Sequence, residues 1–352
     1  MAVNDGEPLL IAFYLLSGAF AMLVCALAAR IGPWLGVMDV PDGRRKLHRL
    51  PTPLVGGLSV LIPVVVALAW FSITSNFAPL YLMIGAATLL LAFLGFLDDR
   101  RHVRAVWRLI VSAAVFGAVL LVVPGLTVRW LNFSFAGVVS PVFLGPVGGF
   151  LFVTVCLVGL QNAVNMADGK NGLVIGLCLI WTIVLFGYVP SHLDPLLFVL
   201  VIGLAVAFGF NVAGRIFLGD AGTYGLSALI GLLTIYTYNV GFVAFPADAV
   251  ALMFLLPVVD TLRLMVARLA KGRSPFSSDR DHLHHILLEL MPWHWALSVY
   301  LVLVALPLIL SRYYVEWTGL FAVGAILVYS VLVAQKYRPT AAATSNSGSG
   351  LN

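Results

Sequence analysis

Residues 79–97 decide the fold: they read PLYLMIGAATLLLAFLGFL, carry no charged side chain, and lead directly into Asp98 and Asp99. A helix needs about 20 apolar residues to cross the hydrocarbon core of a bilayer. Similar runs recur along the 352-residue chain, of which 61% is hydrophobic and 10% is charged, whereas a soluble domain has about 25% charged residues. This composition excludes a cytosolic globular protein, a disordered chain and a collagen-like fibre, and it indicates an integral membrane protein.

Eleven runs have the length and apolarity of a membrane helix, so we predict an all-α polytopic protein with ten to eleven spans. They cover residues 9–29, 53–73, 79–97, 106–124, 143–160, 173–190, 195–210, 223–240, 249–267, 295–311 and 317–335. The first run is too long for a secretory signal and lacks a basic flank, so we expect it to remain as a span. Residues 129–142 are the exception, and we expect a small hairpin or a re-entrant segment there.

The distribution of basic residues predicts the orientation. Of the 20 Lys and Arg residues, 18 fall in alternate connections and only Arg129 and Arg312 fall in the others. Basic loops are retained on the cytoplasmic side of membrane proteins, so we expect the N-terminus outside. We predict a single transmembrane catalytic domain over residues 1–338 and a disordered cytoplasmic tail over residues 339–352. Almost every unusual polar residue belongs to the basic side, where we therefore expect any chemistry.

Acidic residues mark two of these connections. Asp98 and Asp99 end an apolar run, and Asp220 lies between Gly219 and Gly222 at the start of another. Carboxylates at a membrane boundary are costly and usually functional, and they suit a divalent cation or a base whose pKa is raised by its neighbour. The structural alternatives are an acidic cap countered by nearby arginines and, for Asp220, a helix N-cap.

A third connection is rich in amides and reads NAVNMADGKNG over residues 162–172. Asn162, Asn165 and Asp168 recur every three residues, so they share one face if the preceding helix continues. Gly169 and Gly172 then end it. Such side chains bind bases and sugars and supply oxygen ligands. A helix C-cap with polar turn residues is the structural alternative, but it does not explain why three polar residues share one face.

Two connections carry basic clusters. Residues 44–49 hold three arginines or lysines in a row followed by His48 and Arg49, and residues 267–289 hold four basic residues and the stretch His282-Leu283-His284-His285. Both clusters suit phosphates. A zinc site at the histidines is an alternative, but no HExxH pattern or companion cysteine accompanies them. No P-loop, nucleophile elbow or dinucleotide fingerprint occurs in the sequence, so the inventory favours Mg²⁺-assisted phosphoryl transfer.

Five blocks together resemble the polyprenyl-phosphate N-acetylhexosamine-1-phosphate transferases. In family order they are MDVPDGRRKLHRLPTPLVGG (38–57), FLDDR (96–100), NAVNMADGKNGL (162–173), GRIFLGDAG (214–222) and SPFSSDRDHLHH (274–285). The family includes the peptidoglycan MurNAc-pentapeptide translocase, which has three consecutive histidines. The His-x-His-His ending of the last block is similar to the GlcNAc-1-phosphate branch. Asn171 stands where many bacterial members have a second Asp, as it does in eukaryotic members.

The resemblance implies a role for each matching residue. Asp98 would be the base for the lipid phosphate, and Asp99 would support the positioning of metal or phosphate. Asp220 would be the main Mg²⁺ ligand with Asn165 as its partner, and Mn²⁺ would be a substitute cation. The remaining implied contacts go to substrate: Lys46 and Arg108 to phosphates; Asp168, Asn171, Asn211 and Phe217 to uridine; Arg268, His282, His284 and His285 to the sugar and diphosphate.

The expected reaction transfers GlcNAc-1-phosphate from a UDP-sugar to undecaprenyl phosphate and releases UMP. We expect a multi-pass protein of the bacterial inner membrane that acts in a cell-surface glycan pathway such as O-antigen synthesis. Its partners would be these two substrates and the membrane, without nucleic acid; the sequence leaves a homodimer open. Three alternatives also stay open: another UDP-N-acetylhexosamine or a MurNAc-pentapeptide donor, a covalent aspartyl intermediate, and, outside the enzymes, a secondary transporter or a scaffold protein.

Overall fold

The computed structural model describes residues 6–41, 50–134, 140–277 and 280–336, and nearly all regular structure in these ranges is helical. The helices are α1 (Gly6–Ala26), α2 (Ala28–Leu35), α3 (Gly56–Thr74), α4 (Ala78–Arg101), α5 (Ala105–Val122), α6 (Gly145–Ala167), α7 (Leu173–Phe186), α8 (Asp194–Val212), α9 (Gly219–Val240), α10 (Ala247–Ala270), α11 (Leu283–Leu290), α12 (Trp293–Tyr313) and α13 (Thr318–Gln335). The prediction of an all-α polytopic fold is confirmed.

Each of the eleven predicted spans coincides with a helix. Within the described residues, nine helices are long and apolar enough to cross a membrane. Of the other two, α7 has only 14 residues, and α9 is long but lies in the centre, where Ala221 through Ile235 are all buried. The count of eleven spans and the orientation therefore stay predictions. The predicted tail at 339–352 lies outside the described residues.

The helices surround α9, which packs most extensively on α4 and also on α3 and α6. The outer surface is apolar, as a lipid-facing surface must be: Leu15, Ile73 and Leu121 are each more than two-thirds exposed. A soluble protein rarely exposes so much apolar surface. The core is mainly apolar and also contains buried polar side chains within the helices, among them Thr88, Thr182 and Asp260.

Two short hairpins lie at the ends of the bundle. Strands β1 (Met38–Asp39) and β2 (Thr52–Pro53) pair antiparallel just before α3, in a connection where no strand was expected. Strands β3 (Trp130–Phe133) and β4 (Ser140–Phe143) pair antiparallel with Trp130 opposite Phe143, which confirms the predicted hairpin. The first span also differs from its prediction, because α1 ends at Ala26 and α2 follows it as a separate helix.

Candidate active site

Glycines allow the start of α9 to press against α3 and α4. A Cβ added to Gly95 would lie 2.1 Å from the Asp220 carbonyl oxygen, and one added to Gly57 would lie 2.3 Å from the Gly222 Cα. The Gly56 N–H donates to the Phe217 carbonyl oxygen at 2.9 Å. The absence of side chains at these points therefore permits the acidic end of α4 and the start of α9 to meet.

Asp99 caps α9. Its Oδ1 accepts the Asp220 N–H at 2.9 Å, and its Oδ2 accepts the Ala221 N–H at 3.1 Å. The first N–H groups of a helix have no partner within the helix, and a negative charge at this end is favourable. Asp220 is the second residue of α9, and Leu218 is the residue at the N-cap position, so the N-cap explanation of Asp220 is wrong. Asp99 thereby fixes the backbone that carries Asp220.

Asp98 points to another neighbour. This buried carboxylate accepts the Val103 N–H at 2.7 Å and forms an ion pair with Arg108 Nη1 at 2.5 Å. The Tyr224 hydroxyl lies 3.4 Å from the same carboxylate. Arg108 Nε is buried and has no hydrogen-bond partner among the described residues. The guanidinium is thus held by Asp98 and keeps a donor for a ligand.

Asn165 connects α6 to this cluster. Its Nδ2 donates to Asp220 Oδ1 at 2.6 Å and to Thr223 Oγ1 at 3.1 Å. Asn162 instead donates to the Val158 carbonyl of its own helix at 2.8 Å, so the predicted polar face of α6 is only partly shared. The structure nevertheless brings together the two residues expected to hold a cation, Asp220 and Asn165.

The loop after α6 begins at Asp168, the C-cap of that helix. Desolvation raises the pKa of the Asp168 carboxyl to about 7, and the negative charge of Asp99 adds to the shift. An ordinary aspartate has a pKa of about 3.9. The raised pKa favours the protonated form of the Asp168 carboxyl, which can donate as well as accept a hydrogen bond.

Three residues predicted to bind uridine are involved in holding loops together. Asn211 is buried; its Oδ1 accepts the Gly172 N–H at 2.5 Å and its Nδ2 donates to the Ile216 carbonyl at 2.8 Å. The Asn171 carbonyl accepts the Trp293 indole N–H at 2.8 Å. Phe217 donates its N–H to the Pro53 carbonyl at 2.9 Å, and its ring is half-buried. Their substrate roles stay predictions.

The histidines lie beside the same loop. His282 is the N-cap of α11, and its ring is nearly parallel to that of His284, with the centroids 5.4 Å apart. A Cβ on Gly169 would lie 2.3 Å from His284 Nε2, which has no partner among the described residues. Burial lowers the pKa of His284, and burial together with Lys170 lowers that of His285 to about 4. Both imidazoles are therefore neutral at neutral pH.

The other predicted basic contacts differ in their placement. Arg268 is buried, and its Nη1 donates to the Pro275 carbonyl at 2.7 Å, so it holds the connection after α10. Lys46 lies outside the described residues. The structure thus unites Asp98, Asp99, Asn165 and Asp220 in one cluster with Arg108, and it places the histidines against the neighbouring loop.

Comparison with known proteins decides the family. Residues 81–238 match the family model described as glycosyl transferase family 4. An undecaprenyl-phosphate alpha-N-acetylglucosaminyl 1-phosphate transferase of Yersinia pestis is 32% identical over 283 residues, which cover 77% of this chain and 74% of the relative. The chain belongs to the polyprenyl-phosphate GlcNAc-1-phosphate transferase family. The resemblance noted from the five blocks is thereby confirmed, and so are the coarse expectations of a transferase and a multi-pass membrane protein.

Other relatives of this transferase family carry similar names. The Escherichia coli K12 protein of the same name as the Yersinia one is 30% identical, with 77% of this chain and 74% of the relative covered. A probable undecaprenyl-phosphate N-acetylglucosaminyl 1-phosphate transferase of Bacillus subtilis is 24% identical and covers 92% of this chain and 90% of its own length. The acid cluster from Asp98 to Asp220 lies within the matched residues 81–238.

The donor set fits Mg²⁺, the cation that the family resemblance implies. The negative charges of Asp98 and Asp99 act on the Asp220 carboxyl group, and neighbouring carboxylates repel unless a proton or a cation separates them. Among the described residues no three His, Cys, Asp or Glu side chains form a metal cluster. Mg²⁺ prefers oxygen ligands and usually takes one or two carboxylates plus water and substrate phosphates, and the Asp220 carboxylate with the Asn165 amide beside it offers such oxygens.

Two members of the site were missed by sequence reasoning. Thr223 and Tyr224 are both buried, and they contact Asn165 and Asp98, respectively. They follow Asp220 by three and four positions, and residues at this spacing share a helix face. Once Asp220 is placed at the start of a helix, that periodicity is enough to identify both side chains of this transferase.

Proposed function

We propose that this transferase moves GlcNAc-1-phosphate from UDP-GlcNAc to undecaprenyl phosphate and releases UMP at the cytoplasmic face of the bacterial inner membrane. The observation that carries the proposal is the joined cluster of Asp98, Asp99 and Asp220 with Arg108. It gathers anionic ligands and a cationic guanidinium at helix ends, as a reaction between two phosphates requires. The names of the relatives support the acceptor lipid and the sugar.

Arg108 would bind the reacting phosphates. Its pairing with Asp98 through Nη1 fixes the planar guanidinium, and its Nε, which has no partner among the described residues, is a further donor. Guanidinium groups recognise phosphate oxygens through paired, charge-assisted hydrogen bonds. The ion pair therefore orients Arg108 before substrate arrives. Less conformational freedom of the Arg108 side chain is then lost when the two phosphates bind.

Asp220 would hold Mg²⁺, and the Asn165 amide would keep its carboxylate in position. When bound, the cation would neutralise negative charge on the diphosphate of the donor. Asp99 acts indirectly, because its contacts with the Asp220 and Ala221 N–H groups determine the position of Asp220. Removal of the Asp99 carboxylate or of the Asp220 carboxylate should therefore disturb the same Mg²⁺ site.

The lipid phosphate would attack the β-phosphorus of the donor, and UMP would leave. A phosphate monoester loses its second proton with a pKa of about 6, so the nucleophile is already largely ionised at neutral pH. Proton transfer to Asp98 would contribute at the low end of the about 10²- to 10⁴-fold range of general-base catalysis. Positioning of the two phosphates is then the larger contribution of the site.

The donor nucleotide would lie beside the loop at 168–172 and the histidines of α11. Asp168, with its pKa of about 7, supplies both a donor and an acceptor there, which suits the polar edge of a base. His284 contributes a buried ring nitrogen without a partner among the described residues. Neutral histidines can approach a sugar without adding charge.

The deciding experiment is sugar transfer by purified protein in detergent. UDP-GlcNAc, UDP-GalNAc and UDP-MurNAc-pentapeptide, each labelled in the sugar, are supplied with undecaprenyl phosphate and Mg²⁺. We expect lipid-linked label from UDP-GlcNAc and one UMP per transfer, with an Asp220→Asn protein as the inactive control. Transfer from another donor would change the assigned sugar, and release of UDP in place of UMP would refute the phosphosugar transfer.

A further inference from the structure

Asp260 is a buried carboxylate that the proposed mechanism does not use. It lies well within α10, ten residues before the end of that helix, and it is only 4% exposed. Its Oδ1 accepts from Arg263 Nη2 and from the Tyr329 hydroxyl, both at 2.9 Å. Its Oδ2 lies 2.9 Å from His282 Nδ1, and the Leu283 N–H approaches both oxygens at 3.2 Å. Every one of these partners donates to a carboxylate.

These contacts join three helices that are distant in sequence. Asp260 and Arg263 belong to α10, Tyr329 belongs to α13, and His282 with Leu283 starts α11. Arg263 closes the network, because its Nε donates to the Tyr329 hydroxyl at 2.6 Å and its Nη2 donates to the Asp281 carbonyl. A carboxylate in a membrane helix is retained where it is paired and where it serves a function. Here the Asp260 carboxylate binds the start of α11, the helix that carries the histidines.

The contact with Asp260 has a specific consequence for His282. A carboxylate has only acceptors, so the hydrogen bond requires a proton on Nδ1 of the imidazole. A neutral ring then carries its free lone pair on Nε2, and the partner of one ring nitrogen decides the state of the other. Among the described residues, Nε2 makes no hydrogen bond. The hydrogen bond at Nδ1 thus orients the His282 ring, and Nε2 stays available to accept a hydrogen bond from a ligand.

We propose that Asp260 is a positioning residue for His282: it fixes the proton on Nδ1 and presents Nε2 to the substrate. The inference rests on the proposed function, in which His282 contacts the sugar or diphosphate. Tyr329 and Arg263 hold Asp260 in turn, so α13 takes part in the site through this network. A purely structural role, in which Asp260 only ties α10 to α13, would not depend on the His282 ring.

A double-mutant cycle separates the two roles. Asp260→Asn should lower kcat about 10- to 100-fold, the usual effect of losing the group that orients a functional histidine, and should leave KM for lipid acceptor unchanged. His282→Gln should lower kcat as well, and the double variant should match His282→Gln alone. The proposal would be overturned if Asp260→Asn lowered kcat by the same factor in the wild-type and in the His282→Gln background. Full activity of the His282→Gln protein would also overturn it.

The chain offers a matched control and a milder variant. Asp248 lies on the same helix and accepts hydrogen bonds from the Ser134 N–H and hydroxyl, so Asp248→Asn removes a comparable carboxylate far from the histidines and should keep the kcat. Tyr329→Phe removes one donor to Asp260 and leaves the carboxylate charge in place. Tyr329→Phe should lower kcat by a few-fold in the wild-type background and should have no effect on kcat in the His282→Gln background. This variant keeps the test valid if Asp260→Asn fails to fold.

The tautomer of His282 gives a readout that does not need activity. Nitrogen-15 solid-state NMR of histidine-labelled protein at pH 8, with His282→Gln to assign the signal, should show a neutral ring protonated on Nδ1. Asp260→Asn should shift the population toward the other tautomer. A wild-type ring protonated on Nε2 would overturn the inference. If the protein transfers no sugar at all, the proposed function fails, and this spectrum alone still decides the role of Asp260.

Discussion

Substitution of Gly95 by alanine tests whether the contact between α4 and α9 sets the site. A Cβ at this position would lie 2.1 Å from the Asp220 carbonyl oxygen, 2.4 Å from its carbon and 2.6 Å from the Ala221 nitrogen. All three obstacles are backbone atoms, so no side-chain rotation relieves them. The start of α9 and the end of α4 must separate instead.

The size of the displacement follows from the geometry. An ordinary contact begins at 3.4 Å, so the Asp220 backbone must retreat by roughly 1.3 Å from α4, which bears Asp98 and Asp99. A misplacement of about 1 Å at a reacting group costs on the order of 10²-fold in rate. Alanine also favours a helix over glycine by about 1 kcal/mol, so the loss is expected to arise from geometry and not from a weaker α4.

The measurement is kcat for sugar transfer, with thermal unfolding in detergent to show that the protein folds. We expect Gly95→Ala to fold and to lose about 10²-fold in kcat. Gly159→Ala is the control, because this glycine lies within α6 and an added Cβ meets nothing within 4 Å; its kcat should equal that of the wild type. A Gly95→Ala protein with wild-type turnover would refute the claim that this contact positions Asp220.

Three further outcomes test the chemistry. Asp220→Asn should fold yet nearly abolish turnover, and retention of the wild-type rate with the same Mg²⁺ dependence would remove Asp220 from the cation site. Asp98→Asn should lower activity at every pH, because Arg108 loses its ion-pair partner, and it should lower activity further at low pH, with partial recovery as pH rises through the phosphate pKa of about 6; a loss that is entirely flat with pH would remove Asp98 as the base and leave it the task of holding Arg108 or of covalent attack. Metal analysis of the purified protein should find no stoichiometric zinc, since the histidines are expected to serve substrate, and one zinc per chain whose removal stops turnover would contradict this.

The positions of the helices could be predicted because lipid imposes a simple length rule on apolar runs. The rule fails where local geometry decides. Residues 9–29 are uniformly apolar, yet α1 ends at Ala26 and α2 begins again at Ala28. The predicted start of the span at 223 was late, because α9 begins at Gly219, whose φ of +76° only glycine adopts readily. Hydropathy carries no information on either feature.

The site was less predictable than the helices. Isolated polar residues at helix ends indicated which face bears chemistry, but their partners are determined by packing. Asp260 lies within the run at 249–267 and matches none of the motifs that indicated a site. Its hydrogen bonds to residues 22 and 69 positions away in the sequence have no local signature. Asn211 was expected in the uridine pocket, which stays a prediction, and nothing in the sequence indicated that its amide group also binds two backbone segments.

The adjacent carboxylates Asp98 and Asp99 show why neighbours in sequence take different tasks. Successive residues of an α-helix, with 3.6 per turn, point about 100° apart. At the end of α4 this rotation turns Asp98 toward Arg108 on α5 and Asp99 toward the first N–H groups of α9. One acid therefore orients the guanidinium expected to bind phosphate, and the other orients the residue expected to hold Mg²⁺. An exchange of the two functions would require α5 and α9 to exchange places, so the order of the pair is tied to the packing of the whole bundle.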